Sequence, residues 1–202
     1  MGRPRTFVAD DVLDTVMEVF WERGYQSTAL VDLEDATGLN RSSLYHAFGT
    51  KEALFQGALD RYIETVIPSF LDGMEGSGAT IEDVERFFRG LGRRFREGTP
   101  LAARGCLWVN SIVEFAGDPA PVDARSLEYR SRLRAAFTNA LADVGRRGAA
   151  DSATIDRRAR MLVAATIGVW VAARIDSQQA ARTCVAIAAE VRSWKVPVQH
   201  TT

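Results

Sequence analysis

The sequence has few of the residues on which most catalytic and metal centres depend. Its 202 residues include two cysteines, Cys106 and Cys184, and two histidines, His46 and His200. Two cysteines are too few for a disulfide framework, and the two histidines offer no metal-ligand or nucleophile–base spacing. A glycine-rich phosphate loop is missing as well. The composition therefore predicts a cytoplasmic protein with reduced thiols that is not an enzyme and needs no cofactor or metal.

Long hydrophobic runs are missing too. The longest candidate, 161–173, stops at Arg174 and falls short of the roughly 18 residues that suggest a membrane-spanning helix. We therefore interpret it as a buried helix. The N-terminal residues 1–5 lead directly into an amphipathic pattern and lack the apolar core of a signal peptide. We expect no membrane partner.

An excess of positive charge is the third absence. The formal net charge of the chain is −1. Residues 1–60 contain 5 Lys or Arg and 10 Asp or Glu, a net charge of −5, and residues 61–202 contain 20 and 16, a net charge of +4. The overall charge thus gives no support for a nucleic-acid partner, which must be argued from the local placement of residues.

What the sequence does contain is helical periodicity. Leu13, Val16, Met17, Phe20 and Trp21 recur at i, i+3, i+4, i+7 and i+8 and predict an amphipathic helix over about 10–23. No alternating strand pattern of useful length occurs, so we expect an all-α fold of about nine helices. The other predicted helices are 30–37, 41–48, one from Lys51 towards Pro68, one capped by Thr80, 101–115, 122–144, 153–175 and 177–195.

Two of the short helices are separated by Gly38-Leu39-Asn40, the spacing of a helix-turn-helix motif. Gly38 suits a left-handed turn position, and Thr28 and Asn40 are predicted to cap the two helices. In the second helix, Leu44 and Phe48 can face the core. Its start and outer faces carry hydrogen-bond donors and a planar cation: Arg41, Ser42, Ser43, Tyr45 and His46. This composition is typical of a recognition helix. Arg3 and Arg5 lie on an N-terminal arm that could reach an adjacent groove of DNA.

The segment around this motif resembles the DNA-binding module of TetR-type (tetracycline-repressor-type) transcriptional regulators. The lead-in is Phe20-Trp21-Glu22-Arg23-Gly24-Tyr25. The ordered residues that carry the resemblance are Thr28-x3-Asp32-Leu33-x2-Ala36-Thr37-Gly38-Leu39-Asn40-Arg41-Ser42-Ser43-Leu44-Tyr45-x2-Phe48-Gly49-Thr50-Lys51-Glu52-x-Leu54-Phe55. The match covers roughly residues 7–60.

The resemblance implies a homodimer that binds a palindromic double-stranded DNA operator and is released by a small molecule. It implies a DNA-binding domain over 1–55 and a ligand-binding and dimerisation domain over 56–202. Thr28, Tyr45 and Lys51 match phosphate-contacting positions. The positions of base-facing side chains are occupied by Arg41, Ser42, Ser43 and His46.

Glu34 departs from the family pattern, which has alanine at this position. We expect the carboxylate on the solvent side, where it adds negative charge near the DNA. Together with the acidic balance of residues 1–60, it suggests modest non-specific DNA affinity and steep salt sensitivity. A ligand-binding module that binds DNA only weakly is therefore an alternative. The sequence does not decide between repressor and activator.

The later helices carry candidate effector-binding residues. We predict a mainly apolar or aromatic effector, bound by Cys106, Trp108, Asn110, Phe115 and Trp170. The alternative for each side chain is a place in the core. Gly105-Cys106-Leu107-x2-Asn110 also resembles a motif of a TetR-type subgroup, some members of which sense electrophiles or oxidants through a cysteine. Cys106 is therefore either a sensor thiol, which would need an accessible thiolate, or a core residue.

The last two predicted helices have more apolar surface than one face of a monomer needs. Their packing positions carry small and branched residues: Leu162, Ala165, Thr166, Val169, Ala173, Ala180, Cys184, Ile187, Ala188 and Val191. The resemblance pairs these helices with their symmetry mates as a four-helix bundle. The alternative is a monomer with a large core.

Overall fold

The computed structural model describes residues 9–116 and 123–195. Every regular element in these ranges is helical, which confirms the all-α prediction. The helices are α1 (Ala9–Arg23), α2 (Leu30–Thr37), α3 (Arg41–Phe48), α4 (Lys51–Thr65), α5 (Pro68–Leu71), α6 (Ile81–Glu97), α7 (Pro100–Arg104), α8 (Leu107–Glu114), α9 (Asp123–Arg146), α10 (Ser152–Ala173) and α11 (Ser177–Ser193). Within this part of the chain, no helix is long and apolar enough to span a membrane. Arg3, Arg5 and His200 lie outside the described residues.

The described residues form eleven helices instead of about nine because the helix predicted over 101–115 is divided and a separate short helix follows the one predicted from Lys51 towards Pro68. The single helix predicted over 101–115 is wrong, since the chain leaves the helix at Gly105, whose φ of 77° lies in the left-handed region. The helix that starts at Lys51 ends at Thr65. Pro68 then opens the separate α5, because a residue without an N–H group is tolerated at the first helical position.

The chain divides into two compact units. The first contains the described residues of Met1–Pro68 and Leu107–Ser126, and hence α1 to α4 together with α8. The second contains the described residues of Ser69–Cys106 and Leu127–Thr202, and hence α6, α7, most of α9, α10 and α11. The predicted boundary between 1–55 and 56–202 differs from this division, because the first unit includes a helix from much later in the chain.

The core of the first unit lies between α1 and α4. The predicted stripe of α1 is buried from Val16 to Trp21, and Leu13 at its edge is half-buried. The rings of Phe20 and Phe55 meet edge to face at 5.1 Å. A Cβ on Gly57 would lie 2.9 Å from Leu13 Cδ2, so a glycine in α4 lets the two helices approach closely.

The core of the second unit is built on α6, whose apolar stripe from Val84 to Phe95 is buried. The Phe88 ring stacks on Phe137 of α9 at 6.0 Å. A Cβ on Gly92 would lie 3.1 Å from Cys184 Cβ, so a glycine allows close contact between α6 and α11. These contacts fix the scaffold formed by the long helices of this unit.

The helices α10 and α11 bury one face each within the second unit. Leu162, Val169 and Trp170 are buried, but Met161 is 56% exposed and Val171 is 41% exposed. One face of α10 is thus buried, as predicted for 161–173, and its other side has no covering element in the described chain.

Candidate nucleic-acid interface

The turn between α2 and α3 places the recognition helix as the sequence predicts. Gly38 ends α2 with a φ of 67°, a left-handed conformation that glycine adopts without a steric penalty. The Asn40 side chain caps α3 by accepting a hydrogen bond from the Ser43 backbone N–H at 2.9 Å. Leu44 is fully buried and anchors the inner face of α3 in the core of the first unit. The opposite face of α3 is thereby directed to solvent.

That outward face carries the predicted donors. Arg41, Ser42 and His46 are exposed, and Ser43 and Tyr45 are half-buried. The Arg41 guanidinium lies over the Tyr45 ring at 5.3 Å from its centre, a cation–π arrangement. The tyrosine thereby supports the side chain of an exposed arginine on the same helix face.

The backbone at the start of α3 has an unexpected partner. The Glu34 carboxylate Oε1 accepts a hydrogen bond from the Arg41 N–H at 2.6 Å. Glu34 is half-buried, so it does not extend freely into solvent as expected from the sequence. It satisfies one of the N–H groups that a helix N-terminus leaves without an internal partner and that could otherwise bind a phosphate.

Lys51 opens α4 directly after the Thr50 cap, whose hydroxyl accepts from the Ala53 N–H at 3.1 Å. The Lys51 ammonium lies over the ring of Tyr25, 4.3 Å from its centre. Desolvation lowers the pKa of Lys51, while the negative charges of Glu114 and Asp32 oppose that shift. The cation is thus held in place on an aromatic face close to the recognition helix.

Thr28 occupies a different place from the predicted one. Its side chain is buried, and its hydroxyl donates to the Gly24 carbonyl at 2.6 Å. The prediction that Thr28 caps α2 is wrong, because the N-cap is Ala29, whose N–H donates to Asp32 Oδ2 at 2.7 Å. That hydrogen bond, together with Arg23, lowers the pKa of Asp32. Since the hydroxyl proton of Thr28 is already used, this geometry gives no support for a phosphate contact by its side chain.

The candidate effector residues lie in separate packing environments. Phe115 packs in the first unit, with its ring 5.2 Å from Tyr25 and 5.6 Å from Phe55. Trp170 packs in the second unit, with its ring 5.0 Å from Phe95 and 5.9 Å from Phe70. Both side chains therefore have a role in the core of their own unit.

Cys106 lies at the break between α7 and α8. It is 1% exposed, and its Sγ lies 3.7 Å from the Tyr129 hydroxyl. Burial raises the pKa of Tyr129, so this phenol keeps its proton. Trp108 is buried and Asn110 is half-buried on α8. Burial favours the core role of Cys106 over that of an accessible thiol.

Comparisons with known proteins identify the family. The model of the bacterial regulatory proteins of the tetR family matches residues 12–58. The HTH-type transcriptional regulator YezE of Bacillus subtilis is 35% identical over 143 residues, which are 70% of this chain and 72% of YezE. This chain belongs to the TetR family.

Two further TetR-family proteins extend the comparison. The HTH-type transcriptional repressor ComR of Escherichia coli is 32% identical over 135 residues, which are 66% of this chain but only 62% of the length of ComR. A cysteine mutant of the TetR family transcriptional regulator CifR, complexed with a 26 bp double-strand operator DNA, is 27% identical with a TM-score of 0.76. That comparison covers 95% of this chain and 100% of the CifR chain. The relatives are named as regulators, in agreement with the prediction that the chain is not an enzyme.

Sequence reasoning missed the contacts that two carboxylates make in this TetR-family chain. Glu34 was singled out as a departure from the family pattern, but its bond to the Arg41 N–H follows only from the turn geometry. Glu114 accepts hydrogen bonds from the backbone N–H groups of Tyr25 and Gln26. Tyr25 and Gln26 precede Glu114 by 89 and 88 residues in the sequence. No sequence signal links residues so far apart, so only the fold reveals this contact.

Proposed function

We propose that this protein is a transcriptional repressor that binds double-stranded operator DNA through the exposed face of α3. The observation that carries the proposal is the arrangement of Arg41, Ser42 and His46 on one side of a helix anchored by the buried Leu44. A helix of this kind fits the major groove of B-DNA. The membership of this protein in the TetR family supports such a use of α3. The CifR relative, whose structure is complexed with operator DNA, supports it further.

The side chains divide into two groups by their chemistry. Arg41, Ser42, Ser43 and His46 present donors that suit base edges, and arginine makes bidentate contacts with guanine. We assign phosphate contacts to Tyr45 and Lys51, since such contacts fix the register of the protein on the duplex without reading sequence. We do not assign a phosphate contact to the buried hydroxyl of Thr28.

A homodimer through α10 and α11 completes the proposed repressor. Met161, Ala164, Gly168 and Val171 follow one another at helical spacing and are all exposed. On α11, Val185 is 49% exposed. A second copy of the chain would cover these apolar and small residues, and a two-fold dimer requires operator half-sites about 34 Å apart.

We infer that the effector is a small, mainly apolar or aromatic molecule bound by the second unit. The aromatic side chains on its helices, Phe70, Phe87, Phe95 and Trp170, support this inference. A non-covalent effector is favoured over modification of Cys106, because the thiol is buried against Tyr129. An effector that binds more tightly to the dimer state with the lower DNA affinity weakens DNA binding. The size of this effect is the coupling free energy between the effector site and the DNA-binding site.

The test is an in vitro selection of duplexes from a random-sequence pool, followed by titration of the selected duplex. The proposal predicts a palindromic sequence, bound about 1,000-fold or more tightly than random duplex, with affinity that falls as salt rises. The Lys51→Ala variant should lower the salt slope by about one unit. Selection without an enriched sequence, with only weak binding at low salt, would show that this chain is not a sequence-specific DNA-binding protein.

A further inference from the structure

A carboxylate from α8 holds the α1–α2 turn, which we define as residues 24–29. Glu114 Oε2 accepts a hydrogen bond from the Tyr25 backbone N–H at 3.0 Å, and Oε1 accepts one from the Gln26 N–H at 2.7 Å. Hydrogen bonds to an ionised carboxylate are about twice as strong as neutral ones. Two successive backbone groups of this turn are therefore fixed by one side chain.

The backbone of the turn is shaped to admit this carboxylate. Gly24 has a φ of 80°, and a Cβ at this position would lie 3.1 Å from Glu114 Oε2 and 3.2 Å from Oε1. Both the left-handed conformation and the close approach therefore require glycine. The contact is a close fit of side chain to backbone, since a larger residue at position 24 would displace Glu114.

The α1–α2 turn also positions the ring of Tyr25. This ring lies 5.0 Å from Phe55 and 5.2 Å from Phe115, in an aromatic cluster of the first unit. Its face carries the Lys51 ammonium at 4.3 Å. Lys51 is the first residue of α4 and lies two residues after Gly49, the C-cap of α3. The Tyr25 ring therefore supports the cation that follows the recognition helix most closely in sequence.

The charge and the hydrogen bonds of Glu114 act on DNA binding with opposite signs. A negative charge near Lys51 repels phosphates and weakens binding to every duplex. The hydrogen bonds instead order the turn that supports Tyr25 and Lys51, which favours a duplex that fits this arrangement. The two effects are therefore separable by comparing selected and random DNA.

We propose that Glu114 is a positioning residue for DNA binding, which acts by fixing the α1–α2 turn and, through Tyr25, the place of Lys51. This role rests on the proposed function, because it requires a surface on α3 and α4 that reads DNA. A shift of α8 away from the turn would break both hydrogen bonds together, so α8 is a route by which DNA affinity can be altered.

The experiment compares three variants of the full chain. Glu114→Asp keeps the charge but is one methylene too short to reach both N–H groups. Glu114→Gln keeps the length but loses the charge and offers only one acceptor oxygen. The matched control is Glu22→Gln, which removes the charge of an exposed carboxylate three residues before Tyr25.

Two readouts are measured for each variant. The first is amide hydrogen exchange of Tyr25 and Gln26 in the DNA-free protein, which we expect to be about tenfold faster in both Glu114 variants and unchanged in the control. The second is the ratio of affinities for the selected duplex and for random duplex of the same length. We expect this ratio to fall at least about threefold in both Glu114 variants, because one hydrogen bond to a charged group is worth more than this factor.

The ratio distinguishes positioning from mere loss of stability. Partial unfolding reduces the active fraction and lowers both affinities equally, so it leaves the ratio unchanged. Wild-type exchange rates in Glu114→Asp, or faster exchange with a wild-type ratio, would each overturn the positioning role. If wild-type protein does not discriminate between duplexes, the proposed function fails and the positioning role fails with it, whereas a wild-type ratio in the variants overturns only the role of Glu114.

Discussion

At the scale of single residues, the structure places a carboxylate at the N-terminus of α3, where free backbone N–H groups could otherwise bind a phosphate. Glu34 accepts a hydrogen bond from the Arg41 N–H and adds negative charge at the start of α3. Removal of this charge in Glu34→Ala should raise affinity for random duplex DNA about threefold at low salt, since a charge at a helix N-terminus is worth about 0.3–1 kcal/mol. Fluorescence anisotropy at several salt concentrations measures the effect.

The control for this prediction is the neighbouring exposed residue. Asp35→Ala removes the same charge from α2 but has no place at the α3 N-terminus. A clearly smaller rise is expected in Asp35→Ala. An equal rise in both variants would show that only net charge matters and that the bond to the Arg41 N–H has no part in DNA binding.

Single-residue roles could be predicted where the contact is local and not where it is distant. The Asn40 cap and the buried Leu44 follow from helix signals within a few residues, and the structure confirms both. The support of Lys51 by Tyr25 joins residues 26 apart, and the Glu114 contacts join residues even further apart. Such pairs depend on how helices cross, which the periodicity of one sequence does not contain.

At the scale of secondary-structure elements, the break between α7 and α8 is the feature with the clearest energetic consequence. Gly105 has a φ of 77°, so Gly105→Ala forces a side chain into the left-handed region. We expect the free energy of unfolding to fall by about 1–2 kcal/mol. Chemical denaturation followed by circular dichroism measures this change.

The matched control is a glycine with an ordinary helical conformation. Gly90 lies inside α6, and a Cβ there would meet nothing within 4 Å. Gly90→Ala should therefore raise the free energy of unfolding by about 0.5–1 kcal/mol, because alanine is the better helix former. A stabilising Gly105→Ala would show that the chain does not adopt this break in solution.

Element bounds could be predicted where stop signals are strong. The bounds of α2 and α3 agree with the predictions 30–37 and 41–48, because Gly38 and Gly49 mark their ends. The break at Gly105 was missed because apolar residues flank the Arg104-Gly105 pair on both sides and no proline follows it. A single glycine between two apolar stretches does not by itself show whether it interrupts a helix or is tolerated within it.

At the scale of the whole molecule, the exposed face of α10 predicts a dimer. Val171 is 41% exposed at the C-terminal end of the stripe of apolar and small residues on α10. Wild-type protein should have twice the chain mass in sedimentation-velocity experiments, and Val171→Arg should have the mass of one chain, because burying an unpaired arginine is unfavourable. Val113→Arg, at a position 61% exposed on α8, should remain a dimer.

The fold class of the described residues could be predicted, but the division into compact units could not. Helical stripes and the absence of alternating patterns were sufficient for an all-α architecture. The assignment of α8 to the first unit depends on Glu114 and Phe115, whose partners Tyr25, Gln26 and Phe55 lie far away in sequence. A boundary drawn along the chain cannot represent a unit that is discontinuous in sequence. For the assembly, wild-type protein with the mass of one chain in sedimentation-velocity experiments would contradict the proposed dimer.

The central claim, that the outward face of α3 reads DNA, is tested most directly by one pair of variants on the selected duplex. Arg41→Ala removes an exposed arginine of α3, and Arg93→Ala removes an exposed arginine of α6 in the other unit. The account predicts that Arg41→Ala weakens binding to the selected duplex about 10- to 100-fold and relaxes its specificity, since a bidentate base contact is worth about 1–3 kcal/mol. Arg93→Ala should bind as wild type does. Equal affinities of the two variants for the selected duplex would contradict the claim.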